Sequence, residues 1–286
     1  MPPSKKGPTL RSQWLGKHLR ELREAAGLTL REAGDHVQRD QGALSRWEAG
    51  LVPVRVPDVI ALLNLYGVDD LRIRDGLERL SRDIWQKGWW DDYAGEAKTR
   101  ILDYAWIESR ATRVKSYDAI VVNGLLQIRD YAHAVMAAAG PEDSPTTLAR
   151  WWEFRSKRQQ ELTSEDPLRL HAIVDEAVLH RLIGGAETMG AQLAHLVAMV
   201  ELPNITIQVL PFSAGAHASP SGPFTVFEMP EPYPDLAYIE TQGGSVYLEA
   251  DGAEKFSRAY DGLQDSALSP EESAAFIGAH LSRLRQ

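Results

Sequence analysis

The sequence predicts two domains. The first is a mainly α N-terminal bundle of five helices over residues 13–80, and the second is a larger α+β domain over 97–286 with a mostly antiparallel sheet. A mobile arm (1–12) precedes them and an aromatic-rich junction (81–96) separates them. Three observations carry this. From Trp14 to Leu80 apolar residues recur at helical spacing, punctuated by Gly27, Gly50 and Gly67. In the second half, short alternating runs closed by Pro-rich or Gly-Gly turns interleave with helical stretches. The charge is also split: the chain carries −9, yet residues 1–57 hold ten Lys or Arg against six Asp or Glu, a balance of +4 that leaves −13 for the rest.

The arm contains Pro2, Pro3 and Pro8 with Lys5, Lys6 and Arg11, and has no apolar period. Gln13 to Ala26 places Trp14, Leu15, Leu19 and Leu22 on one helical face, and Gly27 stops it. Thr29 with Glu32 three residues later has capping-box spacing, so a short helix begins at Leu30 and runs past Ala33 toward Val37. Gln38 to Asp40 is a tight connector, Asp40 is the next N-cap, and a second short helix containing Leu44 and Trp47 ends at Gly50. Small Ala33 and Gly34 let these two helices approach closely. After a loop, Pro57 starts a helix with Val59, Leu62, Leu63 and Tyr66 inward, and Asp69 to Leu80 supplies a fifth with Leu71, Ile73, Leu77 and Leu80.

With Leu44 and Trp47 turned inward, the second short helix presents Gln41, Gly42, Ser45 and Arg46 on its other side. A helix of that size fits the major groove of DNA, where Arg pairs with guanine, Gln with adenine, and Ser with several acceptors. The stretch from Trp14 to Val68, above all LSRWEAG (Leu44 to Gly50), resembles the helix-turn-helix of the phage-repressor and Cro-like family, also called the xenobiotic-response-element family. That resemblance implies that Gln41, Gly42 and Arg46 face bases, with Ser45 beside them. It implies that Thr29 and the turn from Val52 to Arg55 face phosphates; Arg31 and Arg39 are further phosphate candidates. It also implies an ion pair between Arg23 and Glu48. Leu30 departs from the family pattern, because many members have a polar DNA-contacting residue there.

Composition limits the alternatives. The chain has no cysteine, which excludes disulfides and thiolate metal sites, and a cytoplasmic location is expected. Neither a signal peptide nor an apolar run long enough to cross a membrane is visible, so no membrane partner is expected. A basic module attached to an acidic body suits a DNA reader with a separate regulatory domain, since phosphate attraction acts where the positive charge lies.

The junction, IWQKGWWDDY (Ile84 to Tyr93), holds three of the eight tryptophans and is read as packed contact. Ala97 to Arg110 is a helix with Ile101, Leu102, Ala105 and Trp106 inward. Arg113 to Val122 is extended, and Tyr131 to Ala139 is helical. Thr146 to Leu162 is a basic helix with Leu148, Trp151 and Trp152 at core spacing. Leu168 to Val174 and Ile205 to Leu210 are strands, separated by helices over Glu176 to Ile183 and Thr188 to Leu202. Three short strands follow, Phe224 to Glu228, Leu236 to Glu240 and Val246 to Glu249, and helices over Ala253 to Leu268 and Glu271 to Leu284 close the chain.

The segments VNGLLQIRDYA (Val122 to Ala132), VDEAVLHRLIGG (Val174 to Gly185), QLAHL, NITIQVLPFSAGAH and ALSPEES are similar to an actinobacterial domain found downstream of this type of helix-turn-helix. The similarity covers most of residues 85–286; Asn123 stands where that family usually has proline. It implies transcription regulation, in some members as the antitoxin-like partner of a small neighbouring protein.

No catalytic constellation is expected. Glu176, His180, His171 and Asp175 lack an HExxH arrangement, and Ser219 with His217 lacks a nucleophile elbow, so neither a metal, a cofactor nor an enzyme is predicted. The loop Pro211 to Pro223, with Gly215, His217, Ser219 and Gly222, is the candidate lip over a ligand or partner site. The expectation is therefore a homodimeric, sequence-specific regulator of a double-stranded DNA operator. Its C-terminal domain senses a small-molecule effector or holds a small protein partner; the alternative is an antitoxin-like module whose main act is to hold that partner.

Overall fold

The computed structural model describes residues 8–97, 99–140, 143–231 and 233–284. Contacts divide them into two compact units: the first runs to Ile107 and includes Glu231 and Tyr233, and the second takes Glu108–Pro230 and Pro234 onward.

The first unit contains α1 (Leu10–Ala25), α2 (Leu30–His36), α3 (Gln41–Glu48), α4 (Val56–Leu65) and α5 (Leu71–Trp85), then a 3-10 turn over Trp89–Tyr93 and α6 (Thr99–Arg110), within which the division falls. Helix α1 starts three residues before Gln13, because the Thr9 hydroxyl accepts the Ser12 N–H and caps it. Leu10, Arg11 and Ser12, assigned to the mobile arm, are therefore helical and buried; residues 1–7 of that arm lie outside the described residues. The core is formed by Trp14, Leu15, Leu19, Ala33, Leu44, Val59, Leu62, Leu63, Leu77 and Leu80.

Two glycines set how closely α1 and α3 approach. A Cβ on Gly16 would come within 2.5 Å of the Trp47 carbonyl oxygen. Gly50 combines a φ of +68° with backbone atoms of Gln13 only 2.7 Å from where its Cβ would be. Gln38, in the connector between α2 and α3, also has positive φ (56°), so the turn is made without glycine.

Helix α5 departs from expectation at both ends. Leu71 and Ile73, read as core, are 72% and 44% exposed, while the helix continues through Trp85, into the stretch assigned to the junction. Its last turns hold the segment leading into α4: Ser81 Oγ and Trp85 Nε1 both donate to the Val54 carbonyl, at 2.9 and 3.2 Å. In the junction Trp90 and Tyr93 are buried; in α6 Leu102, Ala105 and Trp106 are buried but Ile101 is exposed. Trp106 meets Trp14 edge-to-face at 5.8 Å.

Asp103 on α6 accepts the Leu10 N–H at 3.1 Å through Oδ2, while its Oδ1 is buried with no partner. Burial raises its pKa to about 6, against the opposing pull of the Leu10 N–H and Arg11. A carboxyl group whose pKa is higher folded than unfolded stabilises the fold fully below the unfolded value near 4, and the contribution is lost as pH rises through about 6. Between pH 4 and 7 the wild type should therefore lose on the order of 2–3 kcal/mol relative to Asp103→Asn. Thermal unfolding of both proteins across that range checks it: parallel Tm profiles would contradict the assignment.

The second unit is a six-stranded sheet with helices. Its strands are β1 (Arg113–Asp118), β2 (Arg169–Asp175), β3 (Ile205–Leu210), β4 (Phe224–Glu228), β5 (Leu236–Thr241) and β6 (Gly244–Glu249), and its helices are α7 (Arg129–Ala139), α8 (Pro145–Gln159), α9 (Glu176–His180), α10 (Gly185–Met199), α11 (Asp251–Ser266) and α12 (Pro270–Leu284). The order is β3-β2-β1-β4-β5-β6. The sheet is mixed, not mostly antiparallel: β1 pairs parallel with β2, and β2 with β3, whereas β1-β4, β4-β5 and β5-β6 are antiparallel. Helical crossovers join β1 to β2 and β2 to β3, and such connections return a chain parallel to itself.

Tyr117, Ile173, Leu210, Phe224 and Val226 form a core against Tyr260 and Leu263 of α11. In α8 the buried aromatic is Phe154; Trp151 and Trp152 are half-buried. The basic side of α8 is engaged by protein partners: Arg158 makes a two-pronged pair with Glu108 at 2.6 and 2.9 Å, and Arg155 donates to Gln127.

Candidate nucleic-acid interface

Helices α2 and α3 form the candidate reading head. Helix α2 is closed at its start by the full capping box: Glu32 N–H donates to Thr29 Oγ1 at 3.2 Å, and Thr29 N–H donates to Glu32 Oε2 at 2.8 Å. The Thr29 N–H, and after it the Thr29 hydroxyl, hold the Glu32 carboxyl below its ordinary pKa. The Thr29 hydroxyl also donates to Glu32, at 2.7 Å, so its proton is already committed within the cap. Asp40 caps α3 by accepting the Ala43 N–H at 2.7 Å.

Burial of Leu44 and Trp47 fixes the rotation of α3 about its axis, and Gln41, Gly42, Ser45 and Arg46 are all exposed on the remaining surface. Gly42 keeps that surface low: a Cβ there would lie 3.4 Å from Arg46 Nη1, so the guanidinium rests along the bare backbone. Arg46 has no ion-pair partner among the described residues. Arg31 and Arg39 are exposed as well; Arg31 lies 3.8 Å from Asp35, and Arg39 donates to the Gln38 carbonyl.

The orientation of α3 is further fixed from α1. Arg23 Nε and Nη2 donate to the two carboxylate oxygens of Glu48 at 2.6 and 3.0 Å, and Nη1 donates to the Leu28 carbonyl at 2.7 Å. The side chains are 9% and 7% exposed, and the Glu48 hydrogen bond pushes the Arg23 guanidinium above its usual pKa.

Beyond α3, Val52 and Arg55 are exposed, and the Arg55 guanidinium lies over the Trp85 ring, 5.6 Å from its centre. Arg55, Arg82 and Trp85 border a shallow surface pocket. The sequence reading missed Trp85 and Arg82 because it ended the fifth helix at Leu80; helical spacing from Leu77 through Trp85 was the available signal. Exposed Leu51 also escaped notice.

In the second unit, the loop residues lie close together but are occupied with one another. Ser219 is buried, its hydroxyl donates to the Gly222 carbonyl at 2.7 Å, and its N–H donates to His217 Nδ1. That leaves the proton on His217 Nε2, facing the Tyr117 hydroxyl at 3.5 Å, which donates in turn to Asp175 at 3.1 Å. Gly215 and Gly222 have positive φ at the turns. The Ser219 hydroxyl is thus directed at a carbonyl and not at the imidazole, as a hydrolase would require. His180 lies 3.3 Å from Glu176 and 3.1 Å from His280, while His171 bonds to Gln208 and Asp175 caps α9; among the described residues no group of three or more His, Asp or Glu is arranged to hold a metal. Among the described residues no helix is long and apolar enough to cross a membrane.

Two family profiles match the chain: one described as a helix-turn-helix domain over residues 14–75, which carries most of α1, all of α2 to α4 and the start of α5, and one described as a domain of unknown function (DUF5753) over 101–279. Comparison with curated proteins and with solved structures gives no match. Since the second profile spans more than half of the residues, the chain belongs to the family of the domain of unknown function DUF5753, here placed after a helix-turn-helix domain of the kind found in DNA-binding regulators.

Proposed function

We propose that the protein is a non-enzymatic, sequence-specific transcription regulator of the Cro-like type, with α3 lying in the major groove of its operator. The observation that carries the reading is the exposed face of Gln41, Gly42, Ser45 and Arg46, set by a buried reverse face and a bidentate ion pair behind it. Gln41 and Arg46 read base edges; Arg31, Arg39, Arg55 and the backbone around Val52 meet phosphates. Thr29 reaches a phosphate only by exchanging its Glu32 partner.

A homodimer would double these contacts and suit half-sites roughly 34–36 Å apart. Exposed Leu71 and Ile73 on α5 support a self-associating surface. The second unit senses a small effector and biases the geometry of the paired reading heads. The antitoxin-like alternative draws support from exposed Leu182 and Phe212, which offer apolar contact to a protein; co-purification with the product of a small neighbouring gene would favour it.

The test is binding of the full chain to DNA upstream of its own gene and to random DNA, titrated against salt. Arg46→Ala should cost ~1–3 kcal/mol on the operator and relax discrimination at one base pair, whereas Arg55→Ala should weaken both DNAs alike and reduce the salt slope by about 1. Equal losses on both DNAs for Arg46→Ala would overturn the assignment of roles.

A further inference from the structure

The mixed sheet has one face on which α11 covers only part of the strands. Tyr117, Ile173 and Leu210 pack under Tyr260 and Leu263. Strand alternation puts Arg113 and Lys115, Arg169 and His171, and Thr206 on that same face toward the starts of the parallel strands. There they line a cleft of about 590 Å³, together with Gln264 of α11.

Register brings like charges together. Arg113 is paired with Arg169 in the parallel ladder, and the next pair on the same face sets Lys115 opposite the imidazole of His171. Directly opposed cations destabilise a sheet unless something neutralises them. Glu228 serves Lys115, at 2.8 Å, and only loosely Arg113, at 3.7 Å; Asp261 stands 3.9 Å from Lys115. Asp166 also lines the cleft but lies beyond ion-pair range of Arg169, which has no ion pair among the described residues.

Beside these cations the structure fixes a lone-pair acceptor. Gln208 Nε2 donates to the Leu268 carbonyl at 2.7 Å, so its Oε1 accepts from His171 Nε2, also at 2.7 Å. His171 must then carry its proton on Nε2 and leave Nδ1 bare. Burial lowers the His171 pKa, against the opposing Gln208 hydrogen bond, and Arg113 and Lys115 lower it further, which favours the neutral ring. The Tyr260 hydroxyl donates to the His171 carbonyl and braces the strand. Two guanidinium groups beside a neutral acceptor suit an oxyanion that still bears a hydroxyl.

We propose that this cleft binds a phosphate-type oxyanion, either free phosphate or the phosphate of a small monoester, with Arg113 and Arg169 on its charged oxygens and His171 Nδ1 accepting its P–OH. This gives a chemical class to the effector proposed above. It rests on that reading only for its regulatory consequence, because binding is measured without DNA.

The experiment is isothermal titration of the full chain with inorganic phosphate, glycerol 3-phosphate and sulfate, repeated on Arg169→Gln and on Arg258→Gln, a control at an exposed arginine that pairs with Glu254. Saturable binding of phosphate or the monoester is expected, at least tenfold weaker in Arg169→Gln and unchanged in Arg258→Gln. Sulfate has a similar size and shape but no proton near neutral pH, and should bind the wild type at least tenfold more weakly. Tighter binding of glycerol 3-phosphate identifies a phosphorylated metabolite as the source, and tighter binding of phosphate identifies the free ion. Equal affinity for sulfate, wild-type affinity in Arg169→Gln, or no saturable binding of either phosphate probe overturns the proposal. If phosphate binds as described while operator affinity stays constant, the site stands and only its link to DNA fails.

Discussion

Gly50→Ala is expected to destabilise the N-terminal unit by about 3 kcal/mol, from left-handed backbone strain and a forced overlap acting together. The φ of +68° disfavours any L side chain, and the new methyl would be built 2.7 Å from Gln13 N and Cα, backbone atoms in the first turn of α1 that cannot rotate away. Gly67→Ala separates the two causes, since Gly67 has φ +69° with nothing within 4 Å, and it should cost only the strain, about 1–2 kcal/mol. Thermal or urea unfolding of the two variants gives the comparison. Equal losses would mean that the α1–α3 approach is looser than described. Because Gly50 closes α3, operator binding should fall with stability in the first variant and persist in the second.

Removing one side of the Arg23–Glu48 pair is the other large effect. Glu48→Ala leaves a guanidinium that is 9% exposed without its carboxylate, and should cost ~3 kcal/mol, the lower end of what breaking a buried pair costs. The double substitution Arg23→Met with Glu48→Leu should recover much of that loss, since the penalty lies in stranding one charge and less in losing the attraction. A cost below about 1 kcal/mol for Glu48→Ala would class the pair with ordinary surface bridges. The recovered double variant should still bind its operator less tightly, because side chains without the two-pronged hydrogen bond hold α3 less firmly.

The reading head was legible because its signals are local. Thr29 and Glu32 three apart, Asp40 before a small helix, and Gly50 after it each act within one turn of chain, and the structure places α2 and α3 where those residues set them. The strands and closing helices of the second unit were legible from period for the same reason. Sheet direction was not, because no residue of β2 states whether its neighbour runs with it or against it; the helical crossovers were the only signal. Core membership failed where a helix has only part of its stripe covered: Leu71 and Ile73 have the spacing of core residues but are exposed, and Ile101 repeats the pattern. The cationic cleft escaped because Arg113 and Arg169 become neighbours only once β1 and β2 pair. Arg55 was placed by its loop, but its partner Trp85 lies thirty positions on, beyond any local pattern.

The position of β1 in the sheet also bears on how the second unit is made. Its ladder partners are separated from it by residues 119–168 on one side and 119–223 on the other, whereas β5 and β6 are joined by a tight turn. Closing long loops costs entropy before any pairing repays it, so the β5-β6 hairpin can form early and the middle of the sheet must wait. During synthesis β1 emerges from the ribosome well before β2 and long before β4, with Val114 and Tyr117 still unsheltered. The slow step in maturation of this unit is therefore expected to be capture of β1 between β2 and β4.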